Sequence, residues 1–184
     1  MYKRQGDGSA DVPILGEAEA KARGTALHRL LEHLQGHAAA ERPALAARLL
    51  PDTPDLSVLL AEASAVLDAP ELAEVFGPDS LAEVAIAAPL AELGGPILGR
   101  LDRLIVSPDR VLAVDFKSNA VVPPTPEAVP AGILLQMAAY RAALMQIFPA
   151  RRIEIAILWT RTPRLMPLPD ALLATALRNQ QETR

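Results

Sequence analysis

Two apolar runs joined by the short segment Ser-Pro-Asp-Arg leave this chain few ways to fold. The runs are Ile97–Val106 and Val111–Lys117, and their content of valine, isoleucine and leucine is typical of buried strands. Ser107 and Pro108 occupy the first and second positions of the segment between them, as in a type I turn. The sequence therefore predicts that the two strands join as an antiparallel hairpin.

Three charged side chains lie within this predicted hairpin. If Val106 faces Val111 across the turn, the register places Asp102 opposite Asp115, and Lys117 shares their face because side chains alternate along a strand. Adjacent carboxylates repel unless a proton or a cation lies between them, and their oxygens suit Mg²⁺ or Mn²⁺. The hairpin alone leaves two interpretations open: a metal site in which the lysine orients a water, or an edge strand with a structural Lys–Asp pair.

The remaining pattern predicts an α/β fold with a mixed central sheet flanked by helices. Four leucines at helical spacing, Leu27, Leu30, Leu31 and Leu34, predict an N-terminal helix with one apolar face. The other predicted elements are helices over residues 43–50, 55–67 and 71–76, a strand over 81–90, a helix over 132–148, a strand over 151–160 and a helix from 169.

The domain organisation follows from the same pattern. Residues 1–15 are polar and contain glycine, which predicts a flexible tail. Residues 16–184 are predicted to form a single domain. Its helical part covers residues 16–77 and ends at Gly77-Pro78, and its sheet core covers residues 78–184.

Composition excludes several classes of site. The chain has no cysteine, so disulfides, zinc–thiolate centres and iron–sulfur clusters cannot form. Aromatic residues make up 3% of the chain and the net charge is −4, which disfavours stacking on single strands and tight DNA binding by charge alone. No P-loop is present, because Arg100 and Leu101 end the segment GGPILGRL where Lys and Ser or Thr are required. Neither a signal peptide nor an apolar run of membrane-spanning length is found, so we expect a cytoplasmic location and no membrane partner.

Four short motifs follow one another along the chain: Gly24–His28 in RGTALH, Gly99–Asp102 in GRLD, Asp115–Lys117 in DFK and Gln136–Tyr140 in QMAAY. Each motif alone is weak. Their order, a helical histidine, an aspartate after G-x-x, an acidic-x-Lys strand and a Q-x-x-x-Y helix, resembles the RecB-type branch of the PD-(D/E)XK nuclease superfamily. The surrounding sequence is similar to the C-terminal nuclease region of AddA-type helicase–nucleases, and the likeness covers nearly all of the chain beyond the tail.

The resemblance implies a metal centre. His28, Asp102 and Asp115 match metal ligands of the family, and the main-chain carbonyl of Phe116 is a customary further ligand. The implied cofactor is Mg²⁺ or Mn²⁺. Relatives with an iron–sulfur cluster are excluded by the absence of cysteine.

The resemblance also implies roles in catalysis and substrate binding. Lys117 matches the residue that positions the attacking water, and it acts in the family together with the two aspartates. Gln136 and Tyr140 match a helix that lies over the site and contacts the substrate strand. Glu83 stands where relatives often carry an acid on the first strand, and no role is assigned to it.

The implied activity is that of a metal-dependent, exonuclease-type deoxyribonuclease that hydrolyses phosphodiester bonds. The resemblance places it in a helicase–nuclease that processes DNA double-strand breaks for recombinational repair. Its partners would be DNA, the motor domains of the same parent protein and an AddB-type subunit, and the motor would supply the DNA grip that an acidic chain of pI about 5.4 lacks. The alternative is a catalytically inactive nuclease-fold module that binds DNA or a partner subunit.

Overall fold

A computed structural model describes residues 16–90 and 94–182, and the predicted tail over residues 1–15 lies outside them. The described residues form five α-helices and five strands, with short 3-10 turns at Pro70–Leu72 and Pro126–Ala128. In chain order the elements are α1 (Glu17–His33), α2 (Arg42–Leu49), α3 (Leu56–Leu67), β1 (Ser80–Leu90), β2 (Gly95–Val106), β3 (Arg110–Lys117), α4 (Ala131–Ile147), β4 (Arg152–Trp159), β5 (Arg164–Pro167) and α5 (Asp170–Glu182).

The strands form one mixed sheet in the order β1-β2-β3-β4-β5. β3 and β4 run parallel, and the other neighbouring pairs run antiparallel. Helix α4 lies between β3 and β4 in the chain and provides the long crossover that a parallel pair requires. The predicted α/β class, with a mixed central sheet flanked by helices, is confirmed.

The predicted hairpin of β2 and β3 has the expected register. Val106 pairs with Val111, and the ladder continues in the same register to Arg103 and Val114. It stops one position before the two aspartates. The pairing of β2 with β3 therefore ends just before Asp102 and Asp115, and these two side chains lie where the strands separate.

An apolar cluster covers each face of the sheet. Helices α1, α2 and α3 pack on one face, and α4 and α5 pack on the other. In β3, Leu112, Val114 and Phe116 belong to the α1 cluster, whereas Val111 and Ala113 belong to the α4 cluster, as the two-residue period of a strand requires. The four leucines predicted to form the apolar face of α1 are fully buried in the first cluster.

The alternation is interrupted in β2 at Asp102 and Arg103. Leu101 and Leu104 both belong to the α4 cluster, although they are three residues apart and a regular strand would place them on opposite faces. Arg103 is 1% exposed and extends toward α1, where its Nη2 donates to the carbonyl of Leu31 at 3.0 Å. This irregular segment also directs the Asp102 side chain toward α1.

Three local predictions need correction. Asp102, expected on the same face as Asp115 and Lys117, turns toward α1 and His28 because the alternation of β2 is interrupted. The helix expected over residues 71–76 is a single 3-10 turn at Pro70–Leu72 followed by non-helical turns. The segment ends at Gly77-Pro78, so it is too short for the hydrogen bonds of an α-helix to offset the cost of nucleating it. Strand β5 was not predicted, because its four residues, Arg164–Pro167, are too few to show a strand period and include a charge and a proline.

None of the helices in the described part of the chain could cross a membrane. The longest, α1 and α4, have 17 residues each, and both pack on the sheet.

Candidate functional site

The candidate site forms where the β2–β3 ladder ends beside α1. His28 on α1 lies with its Nδ1 3.0 Å from Oδ1 of Asp102 on β2. The other oxygen of this carboxylate, Oδ2, accepts the main-chain N–H of Phe116 at 2.5 Å. Both oxygens of a buried carboxylate are thus engaged, which offsets its desolvation and fixes it between α1 and β3.

Glu83 joins this pair from β1, and the motif pattern had left it without a role. The β1–β2 register places Glu83 directly opposite Asp102. One ligand atom from each of His28, Glu83 and Asp102 lies within 4.8 Å of the other two. Glu83 has a φ of 52°, a left-handed conformation that costs a residue with a side chain about 1–2 kcal/mol. The sequence signals for Glu83 are an acid in an apolar strand and its match to a position where relatives of the resembled family often carry an acid, and its backbone conformation leaves no trace in the sequence.

The donor set of these three residues fits a divalent cation. It offers one imidazole nitrogen and two carboxylates, which are ligands that Mn²⁺ and Mg²⁺ accept. Their mutual distances allow all three to reach one ion. The His28 side chain is 31% exposed, so the group is open to solvent on the α1 side.

Asp115 and Lys117 form a second, adjoining pair on β3. Lys117 Nζ lies 2.5 Å from Oδ2 of Asp115, and both side chains are largely buried. Burial raises the pKa of the Asp115 carboxyl; the ammonium of Lys117 opposes this shift and the charge of Asp102 reinforces it, so the pKa stays above its ordinary value. The ammonium is therefore the cation that allows this carboxylate to be buried.

The pKa of the His28 imidazole depends on Asp102, Asp115 and Lys117. Burial lowers its pKa, but the hydrogen bond to Asp102 and the negative charges of Asp102 and Asp115 outweigh that effect, so the pKa lies above the ordinary value. Lys117 acts in the opposite direction. An excess of negative charge at the site thus favours a proton, or another cation, on His28.

A hydrogen-bonded chain leads from Lys117 to α4. Lys117 Nζ donates to Oε1 of Gln136 at 3.3 Å, and Nε2 of Gln136 donates to the hydroxyl of Tyr140 at 3.0 Å. The Tyr140 ring lies against Gly99 on β2: a Cβ added there would lie 2.4 Å from Cε1 of the ring. The predicted Q-x-x-x-Y helix therefore meets both the lysine and the glycine of the G-x-x-D motif.

The N-terminal part of α1 is anchored at the end of β3. A Cβ on Gly24 would lie 3.3 Å from Oγ of Ser118, so glycine permits a close approach of the helix. Arg23 pairs with Glu62 on α3, and Oε1 of that carboxylate accepts the hydroxyl of buried Thr160 at 2.6 Å. Thr160 in turn donates its N–H to the carbonyl of Lys117 at 3.0 Å. These contacts place His28 one helical turn further along α1, over Asp102.

An open cleft of about 400 Å³ borders the metal-fitting group. Its lining includes His28, Glu83 and Asp102, with Arg29 and Arg100 at its sides. Arg100 is exposed and lies with Nη1 3.1 Å from Oε2 of Glu83. Two guanidinium groups beside a group of metal-ligand type are suited to a phosphate-bearing molecule.

The sequence-predicted residues lie together at this end of the sheet in two adjoining groups. One group is His28 and Asp102 with the additional Glu83, and the other is Asp115, Lys117, Gln136 and Tyr140. Phe116 links them, since its N–H binds Asp102 and its ring packs edge-on against the His28 imidazole with 5.5 Å between centroids. The use of its carbonyl as a metal ligand stays a prediction.

Comparison with known proteins identifies a family and a similar fold for this chain. The family model described as the PD-(D/E)XK nuclease superfamily matches residues 2–180. A crystal structure of a candidate exonuclease from Eubacterium rectale superposes with a TM-score of 0.60 at 15% identity and covers 91% of this chain. This chain spans 65% of that protein's length, and at such identity the likeness shows the fold alone. The structure of SSO0001 has 14% identity and a TM-score of 0.34, with 88% of this chain and 85% of that one covered, and it supports no argument. No curated protein sequence matches.

Proposed function

This chain belongs to the PD-(D/E)XK nuclease superfamily, and on that premise we propose that it is a metal-dependent nuclease that hydrolyses phosphodiester bonds in DNA. The observation that carries the proposal is the meeting of His28, Glu83 and Asp102 beside the Asp115–Lys117 pair. Charges are costly in a buried sheet, and this set combines a cation-binding group with an adjoining carboxylate–ammonium pair.

In the proposed site, His28, Asp102 and Asp115 hold the divalent cation, with Glu83 and the Phe116 carbonyl as further ligands. The cation, when bound, polarises the phosphate and lowers the pKa of a water molecule. The ligand carboxylates are already oriented by hydrogen bonds and the lysine, so little reorganisation is needed on binding.

Lys117 has the catalytic role among the side chains. Its ammonium orients the attacking water and offsets the negative charge that develops on the phosphate in the transition state. Because Lys117 is largely buried, its interaction with that charge is weakly screened by solvent. Gln136 and Tyr140 lie on α4 at the edge of the site, next to Lys117.

The wider setting is part of the same proposal. We place this domain, residues 16–184 with a preceding tail, in an AddA-type helicase–nuclease that digests DNA ends during double-strand-break repair. The motor domains and an AddB-type subunit would hold the DNA, which accounts for a nuclease domain with a net charge of −4. A cytoplasmic location is part of this proposal.

The proposal is tested with a labelled DNA strand and the 184-residue chain. We expect cleavage in Mg²⁺ or Mn²⁺ and none in EDTA. Asp115→Ala, purified in the same way, controls for a contaminating nuclease and should be inactive. A chain that cleaves nothing in either metal, or a variant as active as the original, would contradict the proposal, and binding without cleavage would favour the inactive module.

Metal preference provides a second measurement. We expect Mn²⁺ to bind more tightly than Mg²⁺, because an imidazole nitrogen is a softer ligand than oxygen. Isothermal titration of both ions should show this difference. His28→Ala should weaken Mn²⁺ binding more than it weakens Mg²⁺ binding. Equal affinities for the two ions in the original chain would count against His28 as a ligand.

A further inference from the structure

We propose that Gly99, Tyr140 and Gln136 act together as a support for Lys117: glycine admits the tyrosine ring, the tyrosine hydroxyl holds the glutamine amide, and the amide fixes the ammonium. Gln136 and Tyr140 are then positioning residues and not contacts to the substrate. The inference rests on the proposed catalytic role of Lys117, and it changes the use assigned to the Q-x-x-x-Y helix.

Two contacts define the position of the Lys117 ammonium. An ammonium on a four-carbon stem has three donors and many rotamers, so one partner does not define its position. Lys117 has two partners on different elements. Asp115 on its own strand lies at 2.5 Å, and Gln136 on α4 lies at 3.3 Å. The second contact restricts rotation of the ammonium about the carboxylate.

The Gln136 amide is held in one orientation by its two neighbours. Lysine can only donate, so the oxygen of the amide must face Lys117. The amide nitrogen then faces Tyr140, whose hydroxyl oxygen accepts at 3.0 Å. The contacts at its two ends therefore select one of the two amide orientations, and loss of the tyrosine hydroxyl would release one end.

The Tyr140 ring is buried against Gly99. Tyr140 is only 8% exposed, which leaves little of its ring for a nucleotide base to stack on. Its Cε1 would lie 2.4 Å from a Cβ on Gly99, so any larger residue at position 99 must displace the ring. Since Gly99 lies three residues before Asp102, the strand that carries a proposed metal ligand also fixes the support of the lysine.

The kinetic test uses Gln136→Leu, which is close in size and has no acceptor. We expect kcat for DNA cleavage to fall by about 10- to 100-fold, the range for losing a hydrogen bond to a charged group, with KM nearly unchanged. Gln136→Glu keeps an acceptor for Lys117 and should recover part of the rate. Gln146→Leu is the matched control, because Gln146 lies on the same helix but bonds the carbonyl of Pro89. A raised KM with unchanged kcat would overturn the inference and indicate a substrate contact.

A double-variant cycle tests the glycine. Gly99→Ala should reduce kcat in the original chain but have no further effect in a Tyr140→Ala background, because the ring that it displaces is gone. Gly95→Ala, on the same strand with no atom within 4 Å of the added Cβ, should have no effect. Equal losses from Gly99→Ala in both backgrounds would contradict the proposed route through Tyr140.

A readout without activity separates this inference from the proposed function. Hydrogen exchange of the Lys117 ammonium, followed by ¹⁵N NMR, should be slow in the original chain and several-fold faster in Gln136→Leu and in Gly99→Ala. If the original chain cleaves no DNA, the proposed function fails, while this exchange pattern still decides whether the support exists. Unchanged exchange in both variants would overturn it.

Discussion

Lys117→Ala is expected to lower the rate of metal-dependent DNA cleavage by about 10²–10³-fold, the range seen when a group that stabilises transition-state charge is removed. The variant should still fold. Asp115, left without its ammonium, can take up a proton, since burial already raises its pKa. Metal binding should persist or strengthen, because a competing cation has been removed from beside a ligand.

Two measurements check this prediction. Cleavage of a labelled strand gives the rate, and the rise in melting temperature with added Mn²⁺ reports binding. Lys21→Ala serves as the matched control, because Lys21 is exposed on α1. Full activity of Lys117→Ala would end the catalytic assignment, and loss of the Mn²⁺-induced rise would show that the substitution damages the metal site instead.

Asp102→Ala is expected to abolish cleavage together with the Mn²⁺-induced rise in melting temperature. The substitution removes the carboxylate that joins His28 to the main chain of Phe116. It also leaves a buried N–H without its acceptor, at a cost of about 1–3 kcal/mol in the free energy of unfolding. This combined loss distinguishes a ligand from Lys117, whose removal should lower the rate without weakening metal binding.

Calorimetry or a thermal scan with and without Mn²⁺ measures both effects of Asp102→Ala. Asp109→Ala is the matched control, because Asp109 lies in the exposed turn of the same hairpin. A metal-induced rise of unchanged size in Asp102→Ala would show that Asp102 is not a ligand.

The sequence pattern predicts the sheet well where period and turn chemistry agree. The serine and proline of the β2–β3 turn and the valines that flank it fix the register to Arg103 and Val114. The leucine stripe of α1 is buried as its spacing requires. β5 is not predicted from the sequence, because four residues are too few to show a strand pattern. This edge strand is stabilised by its pairing with β4.

The site is only partly readable from the sequence for a physical reason. A regular hairpin would place Asp102, Asp115 and Lys117 on one face, but the alternation is interrupted at Asp102, which turns to α1 and His28. The left-handed conformation of Glu83 across from it is likewise a product of tertiary structure. Motif order can identify which residues meet, whereas the side of the sheet on which each lies depends on these local departures.

The position of His28 on a helix that also covers the sheet limits how far the protein could be trimmed. A fragment cut down to the strands, starting near residue 78, would lose the imidazole and would expose Leu112, Val114 and Phe116 to water. Such a fragment should aggregate before its chemistry could be assayed. Any reduced version of the protein must therefore keep the leading helices, although all of the acidic residues proposed to act at the site come later in the chain.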